Sequence, residues 1–320
     1  MKTSTKQRLA IGSGILATLV VVVGVVASRT PATHHPTQVS ALGTSSTTAA
    51  LLAVLDQPGT ITVQTVTAAD WAIGRAGLIN LDHPTAKAAG LVDGEEAIVV
   101  DFHALRHPQH GLFIVDSGVE HRFVDDVDHA TVNGLMRVYL GDTFKPLVTL
   151  RSWLATQPPL QGVLLTHLHL DHVLGLADVP AEAGVYVGPH EAEATSWQHA
   201  LTSGSVDRAL AGKAPLSTWT FAKTAAVAPF DGVVDVFGDG MLWALWLPGH
   251  TAGTTAYLAR TPSGPVLFTG DISHTRWGWE HDVEPGWFSG DPAQSAASFR
   301  ALRAFVTAHP GIDVRVGHQH

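Results

Sequence analysis

The run Gly162-Val163-Leu164-Leu165-Thr166-His167-Leu168-His169-Leu170-Asp171-His172 decides how this chain is read. Its first four residues suit a buried strand. On extended backbone, side chains two apart point the same way, so the end of that strand delivers His167 and His169 to one side. Asp171 and His172 follow where the chain turns. Imidazole nitrogen and carboxylate oxygen are what zinc takes when no thiolate is offered, and the chain has no cysteine. An apolar strand does not end in several ionisable groups without a reason, so the cluster reads as a metal site.

The same context recurs further along. Met241 to Leu247 reads as a strand running into Pro248-Gly249-His250-Thr251, and Val266 to Thr269 runs into Gly270-Asp271. Val314-Arg315-Val316 runs into Gly317-His318. In a sheet whose strands end along one edge, such loops converge. Seven ligands are too many for one tetrahedral zinc, but they suffice for two ions. Five neutral histidines and two carboxylates leave a pair of divalent ions with net positive charge, enough to ionise a bridging water.

Further strands are expected at Thr60 to Val66, Glu96 to Phe102, Leu112 to Val115, Gly184 to Val187, Gly232 to Phe237 and Thr254 to Ala259. Helices are expected at Thr149 to Ala155, Pro189 to Ala200 and Pro292 to Ala308, the last with Asp291 as its N-cap. Val119 to Leu147 shows no clear periodicity and reads as part of a cover over the substrate side. Asp116-Ser117-Gly118 suits a tight turn, in which Asp116 is expected chiefly as a loop-fixing acceptor, the other reading being a partner of a metal ligand.

The 320 residues are 45% hydrophobic, ample for a buried core. Lys2, Lys6, Arg8 and Arg29 precede every acidic residue, so the body beyond them carries 15 basic against 28 acidic side chains, a balance of −13. Such a surface has no footprint for a phosphate backbone, which argues against a nucleic-acid partner. Leu9 to Ala27 are 19 residues without a charge, enough for a helix of about 28 Å that can span a bilayer. Residues 1–28 are therefore expected to be a signal anchor, with a cleaved signal peptide as the alternative. The rest would then face the periplasm or exterior, held to the membrane if uncleaved and secreted if cleaved. Residues 29–58, rich in Thr, Ala, Ser and Pro, are expected to be a flexible linker with His34-His35 solvated, leaving a body over 59–320. A homo-oligomer is compatible with this composition.

The pattern His167-x-His169-x-Asp171-His172, with Pro248-Gly249-His250-Thr251, Thr269-Gly270-Asp271, Gly317-His318 and the earlier Ile114-Val115-Asp116-Ser117-Gly118, resembles the metallo-β-lactamase-fold hydrolase superfamily. The resemblance implies an α+β fold, a four-layer αβ/βα sandwich with a dinuclear site at one edge of two packed sheets. It implies that His167, His169 and His250 hold one metal, that Asp171, His172 and His318 hold the other, and that Asp271 bridges them. Zinc is the expected metal, with iron, manganese or cobalt as alternatives. The bridging aspartate looks like the glyoxalase II and acyl-homoserine lactonase branch. Where the lactonases carry a tyrosine three residues after that aspartate, this chain has His274.

The expected activity is hydrolysis of an ester or lactone, acyl-homoserine lactones among them, by a hydroxide bridging two metals. Asp171 is expected to orient the nucleophile and pass on its proton, with His274 either an acid for the leaving group or a surface histidine. The partner is a small acyl substrate. Trp277, Trp279, Trp287 and Phe288 either line an apolar pocket for it or pack their own loop. The alternatives are a glyoxalase II-like thioesterase, then a β-lactamase, then a binding protein with a silent site.

Overall fold

The computed structural model describes residues 30–320, apart from Asn133 and Lys223. The anchor or signal segment expected over 1–28 lies outside the described residues. Among the described residues no helix is long and apolar enough to cross a membrane.

Strands β1 (Thr37–Val39), β2 (Thr44–Ser45), β3 (Thr62–Gly74), β4 (Glu95–His107), β5 (Gly111–Val115), β6 (Lys145–Pro146) and β7 (Leu160–Leu164) precede the His167–His172 cluster. The chain beyond it supplies β8 (Gly184–Val187), β9 (Leu216–Thr218), β10 (Gly232–Asp235), β11 (Leu242–Trp246), β12 (Thr255–Thr261), β13 (Gly264–Phe268) and β14 (Asp313–Arg315). One sheet has the order β1-β9-β8-β7-β5-β4-β3-β6 and the other β14-β13-β12-β11-β10-β2. Period-two alternation explains how they stack. Phe113 and Val115 of β5 share an inner core with Leu242 and Ala244 of β11. On the outer faces, Leu112 and Ile114 pack with Leu150, Trp153 and Val206, and Trp243 and Leu245 with Phe299, Leu302 and Phe305 of the helix Pro292–Ala308. Helices therefore cover both sheets, which gives the four layers expected.

Two expectations are corrected. Within the flexible linker expected over 29–58, residues 30–58 are ordered. Pro31 bridges Thr195, β1 extends one sheet beside β9, and β2 extends the other beside β10. The helix Thr48–Leu55 is capped by Thr47 and buries Leu51 and Leu55 against the outer face of the second sheet. The folded body thus begins near residue 30 rather than 59. His34, mostly exposed, still pairs with Asp207 at 2.9 Å. The helix expected over Pro189–Ala200 instead runs Trp197–Ala209 with Ser196 as its cap, because residues 189–195 turn to carry Glu191 inward.

β4 also buries His103, whose Nδ1 lies 2.8 Å from Thr65 Oγ1. Burial, with Arg315 and His320 adding to it, lowers its pKa to about 3. The folded protein holds this ring neutral while the unfolded chain protonates it below about 6.5. Its contribution is therefore complete above that value and is lost as pH falls towards 3, by about 1.4 kcal/mol per unit. Between pH 6.5 and 5, His103→Phe is expected to lose about 2 kcal/mol less stability than the parent, as read from urea midpoints. Equal losses in the two proteins would refute this.

Candidate metal centre

The ligand candidates stand where strands end. β7 is parallel to β5 and β8, and β14 is parallel to β13, so neighbouring strands deliver their following loops to one edge. After β7 come His167 and His169, then Asp171 and His172 in the short helix Leu170–Val173. β11 leads to His250, β13 to Asp271 and β14 to His318. All the expected ligands meet, in two sets that share Asp271.

In the first set His250 Nε2 lies 3.1 Å from His167 Nε2 and 2.8 Å from His169 Nδ1. Asp271 Oδ2 stands 3.4 Å from His250 Nε2 and 3.7 Å from His167 Nε2. In the second set His318 Nε2 is 3.1 Å from Asp271 Oδ1 and 3.3 Å from Asp171 Oδ2. His172 Nε2 is 3.4 Å from Asp271 Oδ1 and 3.9 Å from Asp171 Oδ2. Two nitrogens bound tetrahedrally to one zinc would sit about 3.4 Å apart, so each set has the dimensions of a ligand cage. His172 Nε2 and Asp271 Oδ1 are buried without a hydrogen-bond partner, the state expected of atoms that face a cation.

The charge balance fits the same occupant. Burial lowers His169 to about 3, and it holds His167 and His250 well below the ordinary range, so these rings are neutral, the form in which imidazole can bind a metal. Burial opposes charge on His172 and His318 too, but there carboxylates prevail. Asp116, Asp271 and Asp171 raise His172 well above its usual value, and Asp271 and Asp171 raise His318 to about 9. Two imidazoles are thus drawn to take up protons, and a divalent cation answers the same negative potential.

Other groups set the rings. His318 Nδ1 lies 2.9 Å from the Val99 carbonyl and His172 Nδ1 2.8 Å from Asp116 Oδ2, which leaves both Nε2 atoms facing inward. Asp116 also accepts from Thr166 N at 2.8 Å, and its φ of 58° places it in the left-handed region that aspartate tolerates. It is therefore both a loop-fixing acceptor and a partner of a ligand candidate. Gly317 is required by Asp271, since a Cβ there would lie 2.4 Å from Asp271 Oδ1. His320 instead reaches Thr67 Oγ1 at 3.2 Å and stays outside the cage.

Glu191 is a residue that sequence reasoning missed. Fully buried, its carboxylate accepts from Leu168 N at 2.6 Å, Thr251 Oγ1 at 2.6 Å and Gly253 N at 2.8 Å. It ties the His167–His169 loop to the loop that carries His250. Glu191→Gln keeps the shape but weakens the charge-assisted bonds, and is expected to cut affinity for the first metal about 10- to 100-fold, measured by chelator competition. Unchanged affinity would leave Glu191 a packing residue only.

His274 is buried, not a surface histidine, and its Nε2 lies 3.2 Å from Asp271 Oδ2. It lines a pocket beside the ligand cage whose walls include Trp71, Ile73, Leu78, Tyr139 and Phe288. The aromatic stretch divides: Trp287 and Phe288 reach this pocket, whereas Trp279 packs on Phe299 and Trp277 stacks on His281. The helix Gly134–Leu140 supplies Met136, Tyr139 and Leu140, so part of the region expected as a cover does form a wall.

The sequence profile of the metallo-beta-lactamase superfamily matches residues 91–318. The chain belongs to that superfamily. With both ligand sets assembled, it is a metal-dependent hydrolase. It is 29% identical over 230 residues to the N-acyl homoserine lactonase AttM of Rhizobium johnstonii, an alignment covering 69% of this chain and 82% of the relative. To AttM of Agrobacterium fabrum it is 31% identical over 162 residues, 49% of this chain and 57% of that protein. Among solved structures, a quorum-quenching N-acyl homoserine lactone lactonase superposes with a TM-score of 0.56 at 18% identity, over 82% of this chain and 94% of that one. AidC, a dizinc quorum-quenching lactonase, superposes with a TM-score of 0.54 at 13% identity, over 87% and 91% of the two chains. At those identities the structural likeness speaks to the fold.

Proposed function

We propose that the chain opens the lactone ring of N-acyl homoserine lactones with the help of two zinc ions, one of which His167, His169 and His250 would hold and the other Asp171, His172 and His318, with Asp271 available to both. The observation that carries this reading is the carboxylate of Asp271, shared by both ligand sets and lining a largely apolar pocket. The AttM relatives support the choice of substrate. When bound, such a metal pair polarises a carbonyl oxygen and supplies an ionised water at neutral pH.

The chain's own groups do the rest. Trp71, Ile73, Leu78 and Phe288 offer an apolar wall for an acyl tail, which directs the polar ring towards the ligand cage. Asp171 lines the same pocket, and in this reading it takes up a proton from the attacking water. In this reading His274, which lines the pocket, returns one to the leaving oxygen. Tyr139, half-exposed at the pocket rim, has its phenol raised to about 12 by partial burial and by Asp171, and it presents a neutral donor on the pocket wall. Residues 9–27 are read as a membrane anchor or export signal, supported by their lack of charge, and cell fractionation tests that reading.

The test of substrate is a panel of N-acyl homoserine lactones, acyl thioesters, aryl esters and β-lactams, each assayed with and without chelator. Lactones with apolar tails are expected to have a kcat/KM at least about tenfold above thioesters, with activity lost to chelator and restored by zinc. A preference for thioesters, or activity indifferent to chelation, would overturn the proposal.

A further inference from the structure

Because residues 30–58 are folded, little chain separates the charge-free run Leu9 to Ala27 from the body. Ala27 and Pro31 are four residues apart, a span of at most about 14 Å even if fully extended. Pro31 bridges Thr195, and Ala32 N donates to the Ala194 carbonyl at 2.9 Å. The chain therefore enters the body at the N-terminal end of the helix Trp197–Ala209, and that helix is a wall of the substrate pocket through Gln198, Leu201 and Thr202. Leu201 lies five residues beyond the cap Ser196, about 7 to 8 Å along the helix axis. Any membrane that holds residues 9–27 is thus held close to the pocket.

The surface there is apolar. Leu201 is 40% exposed, and on the helix Gly134–Leu140 Leu135, Val138 and Tyr139 are 59%, 79% and 52% exposed. Those three stand at i, i+3 and i+4, so they share one face. Met136 and Leu140 are buried, so this helix offers apolar side chains both to the core and to solvent. Half-exposed Trp287 adds to the rim. Arg137, the basic residue of this helix, is already paired with Asp128 at 3.0 Å.

We infer that the mouth of the pocket rests on a phospholipid bilayer, with Leu135, Val138, Tyr139 and Leu201 as the face that enters it. The inference rests on reading residues 9–27 as membrane-spanning. The acidic body and the pairing of Arg137 favour zwitterionic over anionic headgroups. An amphiphilic substrate dissolved in the bilayer then reaches the pocket with its tail still in an apolar surround.

Because the chain has no cysteine, single labels report cleanly. Full-length Val138→Cys, carrying an environment-sensitive fluorophore, is reconstituted into phosphatidylcholine vesicles containing spin-labelled quencher lipid. Gln109→Cys, exposed in the β4–β5 turn at the far end of the fold, is the water-facing control, and Val20→Cys reports the anchor separately. Quenching at Val138 at least about twofold stronger than at Gln109 is the expected result. Quenching at Val20 without quenching at Val138 would overturn the bilayer-facing mouth while the anchor stands, and quenching at neither would overturn both. A label at Val138 shielded from water but untouched by lipid quencher would assign the face to residues 1–29 or a second copy and also reject the proposal.

Discussion

Replacing Asp271 with alanine is expected to empty both halves of the ligand cage. The two carboxylate oxygens face different sets: Oδ2 is 3.4 Å from His250 Nε2, while Oδ1 is 3.1 Å from His318 Nε2. Removing the group therefore takes one ligand and one negative charge from each set at once. It also removes the charge that His172 and His318 face, so their tendency to hold protons, which competes with any metal, changes in the same step. Metal content should fall from about two equivalents per chain to below one, and kcat/KM for the preferred lactone should drop by at least about 10³-fold. The two readings are independent, since metal is measured by elemental analysis on protein that still unfolds cooperatively. Loss of a single equivalent would show that the carboxylate serves one ion. Retention of both equivalents with a rate within about tenfold of the parent would remove the dinuclear reading altogether.

The ligand residues were legible because their chemistry is concentrated and their context repeats. An apolar run ending in histidine or aspartate occurs after β7, β11, β13 and β14, and each of these strands is short, so pattern and boundary coincide. Glu191 gave no such signal. Its role is defined by partners 23, 60 and 62 positions away, and nothing in the residues around it announces those contacts. The segment 29–58 failed for a different reason. β1 and β2 are only 3 and 2 residues long, with exposed side chains, so periodicity has nothing to register. Their order comes from pairing with strands roughly 180 residues later, as Thr37 with Leu216 and Ser45 with Val234. The helix Thr48–Leu55 was readable in principle, since Thr47 caps a run of good helix formers, but the surrounding Thr, Ser and Pro outweighed it. Likewise Pro189 suggested a helix start, whereas the backbone there takes His190 through a φ of 62° to turn Glu191 into the core.

His274→Ala is expected to lower kcat by about 10²-fold while leaving both metals in place. The ring is 2% exposed, lies 15° from parallel to His318 at a centroid distance of 5.9 Å, and has both nitrogens buried without a hydrogen-bond partner. A buried imidazole in that state is costly unless something else satisfies it, and the pocket it lines is where the leaving oxygen of a lactone would arrive. Two roles compete for this residue. As a proton donor it affects kcat and is replaceable by another donor of similar reach. As a prop for Asp271, 3.2 Å from its Oδ2, it affects metal affinity first. His274→Tyr separates them, because a phenol can donate to the leaving oxygen yet does not reproduce the contact of the imidazole ring with Asp271. Recovery of kcat to within about tenfold of the parent in His274→Tyr, with metal content unchanged in both variants, assigns the proton to His274. Metal loss in His274→Ala that parallels the loss of rate would instead make His274 a support for the Asp271 carboxylate, and the donor would then have to be sought at Tyr139, which lines the same pocket.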